Sequence, residues 1–148
     1  MQLKEYADRS VLCWLATVGH DSRPNVSPKE IFTLLDETLM LIANIASPGS
    51  ETNILLNPQV CVSFVDVFEQ RGFKVTGSAR IVNQEDSRWE GYLSELRKLA
   101  DEKYPIKNIF EIRIESFSKI VAPGYHLFAD TTPESQIENA LSTYKVSR

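Results

Sequence analysis

Short apolar runs rich in β-branched and aromatic residues, several of them alternating with polar positions, fill most of this chain, and a helical period shows in only a few segments. VLCWLATV (Val11 to Val18) is a continuous run ended by Gly19-His20-Asp21-Ser22, which predicts a buried strand followed by a hairpin turn. Pro24 to Leu35 pairs back on it as a second strand, and Pro28, which cannot donate to a ladder, marks a bulge or a sheet edge. Asp36-Glu37 turns the chain into a third strand, TLMLIANI. VCVSFVDV (Val60 to Val67) alternates as a half-buried strand does, and a loop through Glu69-Gln70-Arg71-Gly72 leads into FKVTGSARIV, with Phe73, Val75, Gly77 and Ala79 on one face. In IFEIRIESFSKIV (Ile109 to Val121), Ile112 and Ile114 share one face, and Glu111, Arg113 and Glu115 form an outer face for solvent or the rim of a dimer.

The helical segments are fewer. Residues 2–9 carry Leu3, Tyr6 and Ala7 on one side. SETNILLN follows Ser47 and Ser50, either of which can cap it, and Pro58 stops it. Asp86 to Lys103 is the longest helical pattern, with Trp89, Tyr92, Leu93, Leu96, Leu99 and Ala100 in a packing stripe. The tail from Pro133 to Tyr144 repeats the spacing with Ile137, Ala140, Leu141 and Tyr144. Six antiparallel strands with one long helix inserted before the last predict a mainly β, Greek-key barrel with helices outside it, in a single domain. Trp14, inside the first strand, is expected in the core.

Composition narrows the classes. A net charge of −4 over 148 residues, with no Lys/Arg block, argues against nucleic-acid binding. No apolar run reaches the length of a membrane span and MQLKEYADRS has no apolar signal core, so a cytoplasmic protein is the expectation. Cys13 and Cys61 lie in strand patterns without metal-ligand spacing, and His20 and His126 are isolated, so no metal is expected. No Walker loop, GxGxxG fingerprint or Ser-His-Asp set is present.

The segment IANIASPGSETNILLNP (Ile42 to Pro58) carries the most chemistry. A strand breaks there into a loop of small residues that opens a short helix, whose first-turn N–H groups and dipole suit a phosphate or another anion.

Taken in order, CWLATV, P-x-V-S-P (Pro24 to Pro28), the strand–loop–helix ending in N-I-x-x-N-P (Asn53 to Pro58), V-C-V-S-F-V and F-K-V-T-G-S-A-R-I-V resemble the pyridoxamine 5′-phosphate oxidase-like, FMN-binding split-barrel family in its short subgroup, over about residues 5 to 125. The resemblance implies a six-stranded split β-barrel, a homodimer, and FMN held between subunits. It implies that Val26, Ser27, Pro28 and Lys29 line the flavin, that Ala43 and Asn44 end the strand facing the ribityl chain, and that Ser47, Ser50, Thr52 and Asn53 sit in the phosphate cradle. It also implies that Tyr125 or His126 reaches over the flavin of the other subunit.

The chain departs from the family pattern at Gly49 and Ser50, which stand where true oxidases carry an Arg-Lys pair, and Glu51, which follows them, is expected to work against a bound phosphate. Gly72 replaces a glutamine, and FADTTPESQIENALSTYKVSR lacks the C-terminal Trp and Arg of the long enzymes, so a true pyridoxamine phosphate oxidase is not implied. Lys29, Arg71 and Lys74 are the candidate replacement cations. The expected function is an FMN-binding flavoprotein acting as a small-molecule oxidoreductase. The alternative is a dimeric barrel that binds, stores or senses a flavin, a deazaflavin or another flat ligand without catalysis.

Overall fold

The computed structural model describes residues 1–148, and the hairpins of the sequence pattern set its architecture. β1 (Cys13–Val18) and β2 (Pro24–Lys29) form the first hairpin, turned through Ser22 in the left-handed conformation. β3 (Phe32–Asp36) and β4 (Leu39–Asn44) form the second. β5 (Gln59–Asp66), β6 (Arg71–Val82) and β7 (Asn108–Val121) complete an antiparallel sheet in the order β2-β1-β5-β6-β7-β4-β3. Helix α1 (Leu3–Arg9) precedes it, α2 (Pro48–Leu56) joins β4 to β5, α3 (Trp89–Arg97) joins β6 to β7, and α4 (Gly124–Leu127) and α5 (Pro133–Tyr144) follow.

The sheet has seven strands where six were expected, because the single strand predicted over Pro24 to Leu35 divides at Glu30-Ile31. β2 is one edge of the sheet and β3 the other, so these two residues carry the chain from edge to edge. Three Cα–Cα steps separate Lys29 from Phe32, which holds the edges within ~11 Å of each other. The sheet must therefore curl, and this junction is its split. Pro28 stands in edge strand β2 opposite Trp14, a position that asks no N–H of it.

Inside the curl, Leu15, Phe32, Leu34, Met40, Ile42, Val62, Phe64, Phe73, Val75, Phe110 and Ile112 form the main core, and Leu3, Tyr6 and Ala7 of α1 close one end. A second core lies outside, where Leu41, Ala43, Val82 and Ile109 meet Trp89, Leu96 and Ala100 of the α3 region and Ile106. β4 is apolar on both faces for that reason, which explains the unbroken run LMLIA.

The second core also overturns one expectation. Glu111 is only 7 % exposed, lying beside α3, where Tyr92 donates a hydrogen bond to it and Arg80 and Arg88 pair with it. Arg113 and Glu115, farther along the same face, are exposed as expected. Trp14 is corrected in the opposite sense. With Cys13 and Leu15 fully buried on the inner face, alternation turns Trp14 outward, where it is 45 % exposed.

Two helices also differ in extent. α3 ends at Arg97 rather than Lys103, and the following turns are held by the Arg97 guanidinium donating to the carbonyls of Asp101 and Tyr104. α2 begins at Pro48, so Ser50 lies within its first turn instead of capping it, and Ser47, at the cap position, makes no side-chain capping bond.

β6 and β7 pair along nearly their whole lengths, with a bulge between Thr76 and Gly77. A Cβ placed on Gly77 would lie 2.0 Å from the Arg113 carbonyl oxygen, a contact with backbone that cannot swing aside. Replacing Gly77 with valine is expected to lower stability by ~3 kcal/mol or more, at the upper end of overpacking costs. Urea denaturation checks this, and an unchanged midpoint would show that the strands are not so closely apposed.

Candidate functional site

The end of β2, the end of β4 and the start of α2 converge at the split of the sheet. Pro28 and Lys29 come from the edge strand, Glu30 and Ile31 from the junction, Ala43 from β4, and Ile45, Ala46 and Ser47 from the small-residue loop. With Tyr104, from the connection between α3 and β7, they line a crevice of about 210 Å³.

Lys29 is the chemical centre of this crevice. It is 7 % exposed, and its ammonium donates to Ser47 Oγ. No carboxylate forms an ion pair with it, whereas Arg9, Arg71 and Arg88 each have one. Burial pushes the Lys29 pKa below the usual lysine value. Cys13, the other titratable group acting on it, is a buried thiol whose own pKa is pushed up to about 12, so it supplies no counter-charge near neutral pH. An ammonium taken out of water without a counter-ion is costly, and an anion entering the crevice would relieve that cost.

The first turn of α2 adds neutral donors. Pro48 brings no N–H, and the amides of Gly49 and Ser50 have no backbone acceptor, whereas that of Glu51 is taken by the Ser47 carbonyl. Ser50 is 2 % exposed and its hydroxyl lies 3.1 Å from that of Ser27, which links α2 to β2.

Behind this turn lies a network that the sequence did not reveal. The Glu51 carboxylate accepts from Asn44 Nδ2 (3.0 Å), Asn108 Nδ2 (3.1 Å) and Lys107 Nζ (3.0 Å). Lys107 first, and then Asn108 and Asn44, hold its pKa below the usual glutamate value against the opposing effect of burial. Asn44, 1 % exposed, also donates to Asn108 Oδ1 and accepts from the Ser47 N–H. Its amide is thus fully engaged, and it shapes the loop from behind. Nothing local in the sequence joins Glu51 to Lys107 and Asn108, which are 56 and 57 positions away. The pairing of β4 with the start of β7 brings them together.

The remaining expected residues are scattered. Pro28, Lys29, Ala43 and Ser47 line the crevice, and Ser27 and Ser50 lie beside it. Val26 and Thr52 face solvent, and Asn53 donates to Thr17 at the β1 side of α2. Tyr125 is tied within its own chain, donating to the Glu69 carbonyl, and His126 is exposed. Arg71 sits over the rings of Tyr6 and Tyr125 and 3.9 Å from Glu69, and Lys74 is exposed. Neither Arg71 nor Lys74 lines the crevice. At Gly72, a Cβ would stand 2.0 Å from the Phe64 carbonyl oxygen, so this backbone has no room for the glutamine of the oxidases. Ile31, Ile45, Ala46 and Tyr104 were not foreseen as lining residues. Tyr104 in particular follows a helix and bears no motif.

Solved structures resemble this fold, three of them as follows. An FMN-binding protein from Syntrophomonas wolfei superposes with a TM-score of 0.68 at 12 % identity, over 79 % of this chain and 82 % of its own. HutZ from Vibrio cholerae, described as a heme storage protein, does so with a TM-score of 0.63 at 22 % identity, over 82 % and 95 %. An F420 reductase gives a TM-score of 0.62 at 25 % identity, over 80 % and 97 %. A comparison with curated protein sequences gave no match. The family model for pyridoxamine 5′-phosphate oxidase matches residues 2–131, which takes in every strand, the Lys29 crevice and α4 and leaves out only the terminal helix α5. The chain therefore belongs to the pyridoxamine 5′-phosphate oxidase family.

Proposed function

We propose that this protein binds a flavin in the crevice at the barrel split, with FMN the first ligand to test, and that it acts as a small-molecule oxidoreductase. The observation that carries this reading is Lys29, a buried ammonium without a carboxylate partner, facing a cavity. The residues around it fit a flavin. Lys29 and Ser47 can hold a phosphate, next to a helix start whose Gly49 and Ser50 amides have no backbone acceptor, and Ile31, Ala43, Ile45 and Tyr104 offer apolar and aromatic walls for a flat ring. A bound flavin supplies two-electron redox chemistry, while the protein binds, orients and shields it.

The crevice is smaller than the ~300–1,000 Å³ of typical ligand pockets, so one chain offers part of a site. A second copy of this chain would complete it. Val11, Leu12, Trp14, Val67 and Phe68, all exposed, line an apolar groove of about 330 Å³ on the outer face. Trp14 pairs with Pro28, which places the groove against the crevice. A homodimer through this face would bury the groove and wall the flavin from the partner side.

Binding without turnover is the second reading. It is favoured by the sparse chemistry of the crevice, where Lys29, Glu30 and Tyr104 are the ionisable groups, and by the F420 and heme ligands that the names of structural neighbours carry. Neither His20 nor His126 lines the crevice as a heme ligand would.

Added FMN is expected to bind with quenched fluorescence, and Lys29→Ala is expected to weaken it by ten- to a hundredfold (~1–3 kcal/mol, the scale of a charged hydrogen bond). A dissociation constant unchanged by Lys29→Ala would remove the proposed contact. Bleaching of the bound flavin by NADH or NADPH would favour catalysis, and its absence would favour carriage. Trp14→Glu is expected to convert a dimer to a folded monomer in sedimentation velocity. A dimer that survives the change would place the interface elsewhere.

A further inference from the structure

We propose that the outer face of β6 and β7 carries a separate anion site, in which Arg80, Arg113 and Ser78 take the phosphate group of a small phosphorylated molecule. The site is a cleft of about 470 Å³ bounded by Pro58, just after α2, and by Arg88, at the start of α3. It shares no lining residue with the Lys29 crevice or with the apolar groove at Trp14. One chain supplies all of it, whether or not the crevice takes a flavin.

Cross-strand register assembles the cleft. Arg80 of β6 stands opposite Glu111 of β7, and Ser78 stands opposite Arg113. Ala79 and Ile112, which separate them along the strands, are buried on the inner face, so these four side chains point outward. Arg80 and Arg113 are therefore diagonal neighbours, ~7–8 Å apart and within reach of one another. The Glu111 carboxylate, buried beside α3, holds Arg80 at 3.1 Å and Arg88 at 3.2 Å, which fixes where those two guanidinium groups lie.

The charges of this patch do not cancel. Arg80, Arg88 and Arg113 bring three positive charges, and Glu111 and Asp86, which holds Arg88 at 2.9 Å, bring two negative ones. Arg113 is exposed and forms no ion pair, with Glu115 or any other carboxylate. This surplus stands on a protein of net charge −4, so it is a local concentration rather than a share of general basicity. The donors divide in the same way. Arg88 commits its Nε and both terminal nitrogens to Asp86 and Glu111, whereas Arg80 meets Glu111 through Nη2 alone. Arg113, with five N–H donors, and the Ser78 hydroxyl between the two strands have none engaged. Two open guanidinium groups and a hydroxyl approach from different directions, which suits a tetrahedral phosphate; one fork already fills a planar carboxylate. An anion between Arg80 and Arg113 also replaces their mutual repulsion with two attractions.

The test is a titration of the full-length protein with inorganic phosphate at about pH 8, where phosphate is a dianion, with acetate as the planar comparison. NMR of the arginine Nε–Hε groups is expected to show saturable shifts at Arg80 and Arg113, and acetate is expected to bind about tenfold more weakly. Arg113→Ala is expected to weaken phosphate about tenfold, and Arg113→Lys by less, since lysine keeps the charge and loses the fork. Lys29→Ala is expected to leave phosphate binding here within about twofold, the two sites having no shared residue. Arg113 is exposed and unpaired, so both of its variants are expected to fold, which thermal melts check. Shifts that grow without saturating, or acetate that binds as tightly as phosphate, would overturn the inference. Phosphate binding that Lys29→Ala abolishes and Arg113→Ala leaves unchanged would overturn it as well, and would place the anion in the crevice instead.

Discussion

The cost of hiding one ammonium governs the functional end of this molecule. Lys29 is carried inside by the last residue of an edge strand, and the chain must then cross to the opposite edge within two residues. That crossing leaves the sheet split beside the lysine, and the split is the crevice. A single hydroxyl, from Ser47, satisfies one of the three ammonium protons. The fold thus places an incompletely satisfied positive charge at the one break in an otherwise continuous barrel wall, against the loop that leads into α2.

The two cores explain how this placement is held. The inner core fixes β1, β5, β6 and β7 against each other, and the outer core under α3 fixes β4, whose end and following loop form half of the crevice. Glu51, Asn44, Asn108 and Lys107 then lock α2 to the start of β7, so the loop from Ile45 to Ser47 is braced from behind by four side chains. At the other end of the barrel, Tyr6, Arg9, Asp66 and Glu69 tie α1 to the β5–β6 turn.

Much of the fold was legible in the sequence because alternation has a period that local residues declare. β1, β4, β5, β6, β7 and α5 lie where the pattern put them. What alternation cannot declare is what covers the outer face. Glu111 reads as a solvent residue until α3 is laid beside it, and Trp14 reads as core until its neighbours Cys13 and Leu15 claim the interior. Lys29, Ser47, Pro28 and Ala43, singled out by local motif order, come together at one crevice. Tyr104 and the Lys107–Glu51 pair were missed because they arrive from distant segments that carry no motif, and they reverse one expectation. Glu51 is a neutralised brace rather than a bare charge opposing an anion.

The most direct test is the ionisation of Lys29 itself, followed by heteronuclear NMR of its ammonium group during pH titration of the free and FMN-saturated protein. The pKa is expected below the ordinary lysine value in the free protein, because burial disfavours the charged form, and is expected to rise on addition of FMN, because an anion then favours it. A Lys29 that titrates like an exposed lysine, or whose titration FMN leaves unchanged, would mean that no buried ammonium awaits an anion at the split.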